Sequence, residues 1–424
     1  MPDFLPFAGI RYDVTRLPAD GDADIGAVAA PPYDVIDEER RAALEAAHPH
    51  NSVRLILPRD DAGRDRYAVA ADTASSWLAE GVLLSDGSPR FYLYRMDFRD
   101  EDGRARHTQG VIGVLALPSR PHSPVDGRPA PGTVLPHEHT MARTKSDRLA
   151  LLRATRANLD PIWCLSLAAR LSGMLAADGP ELARCVDDDG VQHRLLALEG
   201  NAAVRVAGAI AAAPIVIADG HHRFETACAY RDELAAAGRD DPAAGGIMAL
   251  VVELTEDELC VRAIHRVLTG LGGSALRVEL GRAFEVREAG PNNPEGVDTL
   301  RARMREQGAL GLVDGAGLAL LVPRPEVLEP RLAGSEVSVR HVGATLFESG
   351  VRPSVPGAVV GYRSDATVVA ALVDKGAAEA AVLLPPASVA QIREAAFAGA
   401  RMPEKTTYFH PKPRTGMVFR SLDG

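Results

Sequence analysis

The sequence predicts an α/β protein, with α+β features, that is built on a mixed sheet. Apolar runs short enough for buried strands, such as residues 214–218 and 245–253, alternate with segments of helical spacing. The 424-residue chain is 46% hydrophobic, which is enough for one or more large cores. Aromatic residues make up only 5% while glycine is abundant, a composition that suits helices packed tightly on sheets.

Residues 1–120 are predicted to form an N-terminal α/β segment. Its elements are a strand leading into a proline-restricted loop (27–36), a helix (38–47), a buried strand (53–57), a helix (64–79) and the two strands of a hairpin (90–98 and 108–116).

Residues 121–270 are predicted to form a central segment, and residues 271–424 a C-terminal α/β segment that returns to the same cleft. The elements of the central segment follow a long proline-rich loop (118–136). They are a helix (144–157), a loop into a strand (158–166), a helix with short strands and a second helix (167–212), a strand–turn–helix (213–230) and two strands (245–253 and 259–266).

Charge and cysteine content exclude several classes of protein. The formal net charge is -10, without the basic balance of a duplex DNA binder, so nucleic acid is not expected as the main partner. None of the four cysteines stands at Cys-x-x-Cys spacing, which excludes a zinc ribbon or a thioredoxin-type motif. With no basic leader and no apolar run of about 18 residues, we expect a cytoplasmic protein without a membrane span.

The strongest chemical signal is the 219–223 box, which reads Asp219, Gly220, His221, His222 and Arg223. It follows a strand and opens a helix, so its free amides and the helix dipole favour an anion. The arginine fork suits phosphate oxygens, and the histidines offer donors or a proton relay. The aspartate is placed for a metal ion or a substrate hydroxyl. The alternative is a polar helix cap in which this aspartate is the N-cap.

Just after the box, Glu225 and Thr226 occupy the first turn of the helix, where Thr226 is a further candidate for binding phosphate.

A second reactive segment contains His137, Glu138, His139 and Thr140. The His-x-His spacing can bind zinc with Glu138 as base, although the His-Glu-x-x-His of zinc proteases is absent. Alternatively Glu138 is a general base that the histidines orient, or the segment is simply a polar loop.

Two further groups carry cations. Lys145, Asp147 and Arg148 open the next helix and could meet phosphates, or form a solvated helix face. Near the C-terminus, residues 401–412 could close over a polyanion, or form an exposed terminal strand. The side chains concerned are Lys405, Thr406, Thr407, Tyr408 and Lys412. A P-loop and the usual serine-nucleophile signatures are absent, which excludes a P-loop kinase.

The order of these motifs resembles the bacterial and archaeal DUF1015 proteins, a family of unknown function. The matching pieces span nearly the whole chain. They are residues 30–36 with Tyr33 and Asp34, residues 137–140 with Lys145, Asp147 and Arg148, the 219–223 box, residues 264–266 with His265 and Arg266, and residues 402–412.

The 219–223 box also resembles the phosphate-binding box of the ParB/sulfiredoxin-like superfamily, which includes CTP-hydrolysing partition proteins, sulfiredoxins and free-serine kinases. The resemblance implies a ParB-like phosphate-binding core over 121–270. It further implies that Asp219 to Arg223 hold nucleotide phosphates and linked Mg²⁺. A glutamate from another segment would act as base, and Glu138 is the candidate.

The chain departs from two members of that superfamily. His221 stands where sulfiredoxins need a cysteine, which excludes sulfinic-acid reduction. The basic helix-turn-helix of partition proteins has no counterpart here, which weakens a DNA-binding function.

The leading hypothesis is therefore a nucleotide-dependent phosphotransferase acting on a small hydroxyl metabolite, with L-serine the best single candidate and Mg²⁺ with ATP or ADP as cofactors. The alternatives are a nucleotide-hydrolysing switch, a non-catalytic binder of a phosphorylated metabolite, and a zinc hydrolase built on His137 and His139. The acceptor, the choice among ATP, ADP and CTP, and a homo-oligomeric state stay open.

Overall fold

A computed structural model describes residues 3–17, 23–118, 133–136, 142–175, 179–239, 241–272 and 275–423, with the backbone alone for 142–145. The described chain forms two compact units. The first holds the described residues up to Cys260 and those from Pro411 onward, and the second is Val261–His410. The three-segment division into 1–120, 121–270 and 271–424 stays a prediction.

The first unit combines short helices with a large sheet. Its strands are β1 Phe4–Leu5, β2 Ile10–Tyr12, β3 Leu83–Ser85, β4 Phe91–Arg99, β5 Ala105–Ala116, β6 Val134–Pro136, β7 Ala157–Asn158, β8 Ile162–Ser166, β9 Glu181–Val186, β10 Gln192–Leu198, β11 Ile215–Asp219 and β12 Gly246–Glu253. Its helices are α1 Glu38–Ala47, α2 Val53–Ile56, α3 Arg66–Ala79, α4 Ala142–Thr155, α5 Leu171–Met174, α6 Gly200–Ala211 and α7 His221–Ala236.

The sheet of this unit is mixed, which confirms the predicted fold class. Its order in the described part of the chain is β6-β11-β8-β12-β5-β4-β10-β9, and β1 adds to β5. The β11–β6 and β12–β8 pairs are parallel, and the remaining pairs are antiparallel. The predicted hairpin is confirmed as β4 and β5, with Met96 opposite Thr108.

Strands β8, β11 and β12 are apolar on both faces because helices cover the sheet, as their unbroken buried runs predict. Side chains from these strands and from α6 and α7, among them Ile162, Ile217, Val251, Val206 and Phe224, form one core cluster. This core fixes the position of the strand ends, including the end of β11, which carries the polar residue Asp219.

Two predicted strands of the first unit were wrong. Residues 53–57 form the short helix α2, because the Asn51 side chain accepts from the amide of Val53 at 3.0 Å and starts a helical turn. An apolar run this short cannot by itself distinguish a strand from a buried helix. Residues 27–30 form a turn after Ile25, and Ala30 makes a single bridge to Thr415 instead of a strand.

The second unit has strands β13 Cys260–Arg262, β14 His265–Thr269, β15 Phe284–Gly290, β16 Leu310–Asp314, β17 Gly317–Pro323, β18 Val359–Arg363, β19 Ala380–Leu383 and β20 Tyr408–His410. Its helices are α8 Leu276–Leu280, α9 Pro294–Gln307, α10 Pro325–Leu332, α11 Gly343–Leu346, α12 Ala366–Asp374 and α13 Val389–Phe397. The strand predicted over 259–266 is therefore two strands, β13 and the start of β14.

The main sheet of the second unit is antiparallel, in the order β15-β17-β16-β19-β14-β18. Helices α9 and α12 pack on one of its faces through Leu300, Met304, Val369 and Val373.

The C-terminal strand β21, Arg420–Ser421, pairs with β7 in the first unit. None of the described helices has the length and apolar character needed to cross a bilayer.

Candidate functional site

The turn between β11 and α7 has a backbone that requires glycine. Gly220 lies at φ 88°, in the left-handed region that other residues rarely adopt. A Cβ atom at this position would lie 2.9 Å from both Arg223 Nη2 and Ile162 Cγ2. The N-cap of α7 is Gly220, and no side chain of the described residues caps it. The interpretation of Asp219 as N-cap is therefore wrong, and the positive end of the helix dipole lies beside this turn.

Asp219, at the end of β11, lies between two cations. Its Oδ2 accepts from Arg223 Nη2 at 3.0 Å, and its Oδ1 accepts from the Lys412 ammonium. Burial acts to raise the pKa of Asp219, but the charges of Lys412 and Arg223 outweigh it and hold that pKa well below its usual range. Asp219 is thus a permanent anion that positions two cations beside the start of α7.

Arg223 is fixed from a second direction, because its Nη1 donates to the carbonyl of Pro161 at 2.7 Å. Its Nε is buried and has no hydrogen-bond partner among the described residues. His221 is buried and His222 half-buried in the same first turn.

Arg148 reaches this part of the first unit from α4. Its guanidinium donates to Asp147 at 2.5 and 2.8 Å and to the carbonyl of Ile56 at 2.8 Å. It lies 4.3 Å above the ring centroid of Tyr33. Asp147 also accepts from Tyr67, whereas Asp34 is exposed.

A small cavity separates Arg148 from Arg223. Its volume is about 60 Å³, and its polar lining includes Tyr33, Arg148, Asp160, Arg223 and Thr226. The Thr226 hydroxyl is buried and has no hydrogen-bond partner in the described part of the chain. Guanidinium, carboxylate and hydroxyl groups therefore converge on one cavity whose remaining wall is apolar except for Asn158.

Asp160 is a lining residue that the sequence analysis did not single out. One of its oxygens accepts from the Thr415 hydroxyl. Burial raises its pKa, while the charge of Arg223 acts in the opposite direction. The sequence signal was its position two residues before β8. The structure adds that β8 is antiparallel to β11, so the start of β8 lies beside Asp219.

The model of a family described as "Protein of unknown function (DUF1015)" matches residues 4–343. The chain belongs to the DUF1015 family. No curated protein matches its sequence.

Three solved structures show what this DUF1015 protein is similar to. A conserved hypothetical protein from Pyrococcus furiosus is 13% identical, with a TM-score of 0.36, and the match covers 69% of this chain and 93% of that one. A free serine kinase (E30A mutant) in complex with AMP is 13% identical, with a TM-score of 0.39 and coverage of 68% and 88%. SbnI from Staphylococcus aureus is 14% identical, with a TM-score of 0.35 and coverage of 69% and 85%. A likeness of this size does not define the chemistry of this chain.

The structure brings together some of the residues predicted from the sequence of this DUF1015 protein. In the first unit, Arg223 and Lys412 contact Asp219, and Tyr33, Arg148 and Thr226 line the cavity beside them. His137, Glu138, His139 and Thr140 lie outside the described residues, as does the side chain of Lys145.

Six other predicted residues belong to the second unit: His265, Arg266, Lys405, Thr406, Thr407 and Tyr408. His265 accepts from the amide of Leu384 at 3.1 Å, and Thr406 donates to the carbonyl of Pro403 at 2.6 Å. Buried Arg266 donates to the carbonyl of Ile264 at 2.7 Å and to that of Lys405 at 3.1 Å.

Proposed function

We propose that this DUF1015 protein is a nucleotide-dependent phosphotransferase that acts on a small hydroxyl metabolite, with L-serine as the best single candidate. The observation that carries the proposal is the β11–Gly220–α7 turn. A helix start at Gly220 that no side chain of the described residues caps, a glycine that leaves room for Arg223 beside the turn, and the cations Arg223 and Lys412 form a site suited to phosphate oxygens.

Each part of the site has a proposed role. The first-turn amides of α7 and Arg223 bind the phosphates of the nucleotide. Lys412 and Arg148 offset the charge that develops on the transferred phosphoryl group, a contribution that is large in a site shielded from water. Glu138 takes the proton of the acceptor hydroxyl, and His221 and His222 donate to phosphate oxygens. Lys145 is proposed as a further phosphate ligand.

Mg²⁺ fits this proposal through Asp219. The described residues contain no group of three or more His, Cys, Asp or Glu side chains placed to hold a metal ion. Mg²⁺, however, is usually bound by one or two carboxylates together with substrate phosphates. Asp219 would supply one carboxylate, and Lys412 would then turn from Asp219 to the phosphates. Mg²⁺, when bound, would supply positive charge that offsets the charge of the phosphates.

Transfer of a labelled phosphoryl group tests the proposal. Purified protein is incubated with ATP labelled at the γ-phosphate, or ADP labelled at the β-phosphate, together with Mg²⁺ and a panel of hydroxyl compounds headed by L-serine. We expect a labelled acceptor. Arg223→Lys should lower the rate by at least about tenfold, because lysine lacks the planar fork. The matched control is Arg231→Lys on the same helix, whose arginine pairs with Asp232 and should leave the rate unchanged.

The alternatives give different results in the same assay. Release of inorganic phosphate without a labelled acceptor would indicate a nucleotide-hydrolysing switch. A ligand-dependent rise in Tm without turnover would indicate a binding protein. Stoichiometric zinc in the purified protein would favour a zinc hydrolase. No labelled acceptor with either donor would overturn the phosphotransferase proposal.

A further inference from the structure

The cavity beside Arg223 contains polar groups that the fold of the first unit does not use. The Thr226 hydroxyl and Arg223 Nε have no partner among the described residues, although both are buried. Asp160 accepts from Thr415 through one oxygen, and within the described chain no hydrogen bond reaches its other oxygen. Buried polar groups in native proteins are nearly always paired, so two buried groups without a partner, beside the half-buried carboxylate of Asp160, point to a ligand.

We propose that this cavity is a binding site for a compact hydroxy acid, and that Asp160 and Thr226 determine its specificity. The proposal rests on the proposed function in one respect, because that function makes this ligand the phosphoryl acceptor. Binding of the ligand itself does not depend on a nucleotide and can be measured alone.

The size of the cavity limits the ligand to a few heavy atoms. Its volume is about 60 Å³, whereas sites for drug-sized ligands have roughly 300–1,000 Å³. The cavity is therefore too small to enclose a whole nucleotide. It fits a few water molecules, or a three-carbon compound that displaces them and extends toward the cavity mouth.

The unused groups define the chemistry of the ligand. Arg223 Nε is a donor on a permanent cation, so it calls for an anionic oxygen such as a carboxylate. When Asp160 is a carboxylate, its second oxygen only accepts, so it requires a hydroxyl or ammonium donor. The Thr226 hydroxyl can donate or accept. A small molecule with a carboxylate and a hydroxyl satisfies all three groups.

The charges of the cavity also fit a ligand with little or no net charge. Asp147 compensates Arg148, and Asp219 lies between Arg223 and Lys412. Asp160 offsets the remaining positive charge. With three cations and three carboxylates, the group is close to neutral. A ligand whose charge is balanced or small therefore binds without leaving an uncompensated buried charge.

Calorimetric titration of the full-length protein without nucleotide tests the site. The probes are L-serine and D-glycerate, which share a hydroxyl and a carboxylate and differ in an ammonium group. Glycerol lacks the carboxylate and propionate lacks the hydroxyl. We expect L-serine, D-glycerate or both to bind, and glycerol and propionate to bind at least about tenfold more weakly, which is about 1.4 kcal/mol.

Two variants and one control locate the site. Thr226→Val and Asp160→Asn should each weaken the bound probe about fivefold or more. Thr345→Val is the matched control, since Thr345 is a buried threonine in the second unit whose hydroxyl also lacks a partner among the described residues. It should leave binding unchanged. Thermal unfolding of Thr226→Val checks folding, and Asp160→Asn provides an independent test if that variant unfolds.

The outcomes separate this inference from the proposed function. The cavity assignment would be overturned if neither L-serine nor D-glycerate binds. Equal binding of glycerol, or unchanged affinity in both Thr226→Val and Asp160→Asn, would also overturn it. A protein that binds the hydroxy acid but transfers no phosphoryl group would keep the cavity assignment and overturn the phosphotransferase. Phosphoryl transfer to acceptors that lack a carboxylate would keep the phosphotransferase proposal and overturn the cavity assignment.

Discussion

The residue that organises the candidate site is Asp219. Its carboxylate is mostly buried and contacts Arg223 and Lys412, two residues 189 positions apart that no local pattern connects. Sequence reasoning could select Asp219, Arg223 and Lys412 as reactive residues. It could not predict their pairing, because ion pairs between distant segments depend on the tertiary fold.

We expect Asp219→Asn to lower the free energy of unfolding by about 3 kcal/mol, because it leaves two largely buried cations without their counter-charge. The control, Asp188→Asn, breaks an exposed pair with Arg40 and should cost less than about 0.5 kcal/mol. Urea unfolding followed by tryptophan fluorescence measures both.

The stabilities of wild type and Asp219→Asn should also depend differently on pH. The pKa of Asp219 is depressed in the folded state, so its contribution is present above about pH 4, the unfolded value, and is lost as the pH falls further. The stability difference between wild type and Asp219→Asn should therefore shrink in acid. A difference that stays constant down to about pH 2 would contradict the assigned role of Asp219.

His265 of the second unit was a candidate site residue, and its environment makes it a source of acid sensitivity. Burial, with a smaller effect from Arg301, lowers its pKa to about 4. Between that value and the unfolded value of about 6.5, the unfolded state binds more protons, so stability falls as the pH falls. The loss approaches about 3 kcal/mol at roughly pH 4, at 1.36 kcal/mol per pKa unit.

His265→Asn should remove this loss, because an asparagine oxygen can accept from the Leu384 amide without titrating. Hydrogen exchange of the backbone around Leu384 measures the effect, since both tryptophans lie in the first unit. The exposed His341→Asn is the control and should behave as wild type. An unchanged acid sensitivity in His265→Asn would contradict the assignment.

At the scale of elements, the sequence predicted the β11–Gly220–α7 turn well because its signals are local. The apolar run of β11, the glycine and the polar start of α7 are adjacent in the chain, and the structure places all three as predicted. The short run 53–57 was misassigned, because the contacts that make it helical come from the Asn51 side chain rather than from any periodicity. Asp160 was missed because its importance depends on the antiparallel pairing of β8 with β11.

The glycines at the two ends of α7 allow a controlled test of the turn. Gly220 and Gly238 both have positive φ, but a Cβ would meet Arg223 and Ile162 at the first and nothing within 4 Å at the second. Gly238→Ala should cost about 1 kcal/mol for the backbone conformation alone. Gly220→Ala should cost clearly more, about 2–4 kcal/mol, and should displace Arg223.

Chemical denaturation of the two alanine variants measures these costs. Equal costs for the two substitutions would show that the close approach at Gly220 is not a constraint.

At the scale of the whole molecule, the C-terminal residues are part of the core of the first unit. Leu422 is buried in a cluster with Leu152 of α4 and Tyr230 and Leu234 of α7. The segment that carries Lys412 is therefore held by packing on both helices that supply the candidate site. The sequence predicts that the C-terminal segment returns to the same cleft. It does not predict the burial of Leu422, because the side chains that cover Leu422 come from distant helices.

Leu422→Ala should destabilise the first unit by about 2–4 kcal/mol through loss of apolar burial and creation of a cavity. Leu84→Ala in the same unit is the control, because Leu84 is 48% exposed, and should cost less than about 1 kcal/mol. Thermal unfolding followed through Trp77 and Trp163 measures both. Equal effects of the two substitutions would contradict a structural role for the chain end.

The central claim is that the start of α7, with Arg223 and Lys412, binds nucleotide phosphates. Calorimetric titration of Mg²⁺-ADP and Mg²⁺-ATP into wild type, Lys412→Met and the exposed Lys375→Met tests it most directly. We expect wild type and Lys375→Met to bind at least one nucleotide with the same affinity, and Lys412→Met to bind at least about tenfold more weakly, or about 1.4 kcal/mol. No nucleotide binding by wild type, or equal affinity in all three proteins, would contradict the claim.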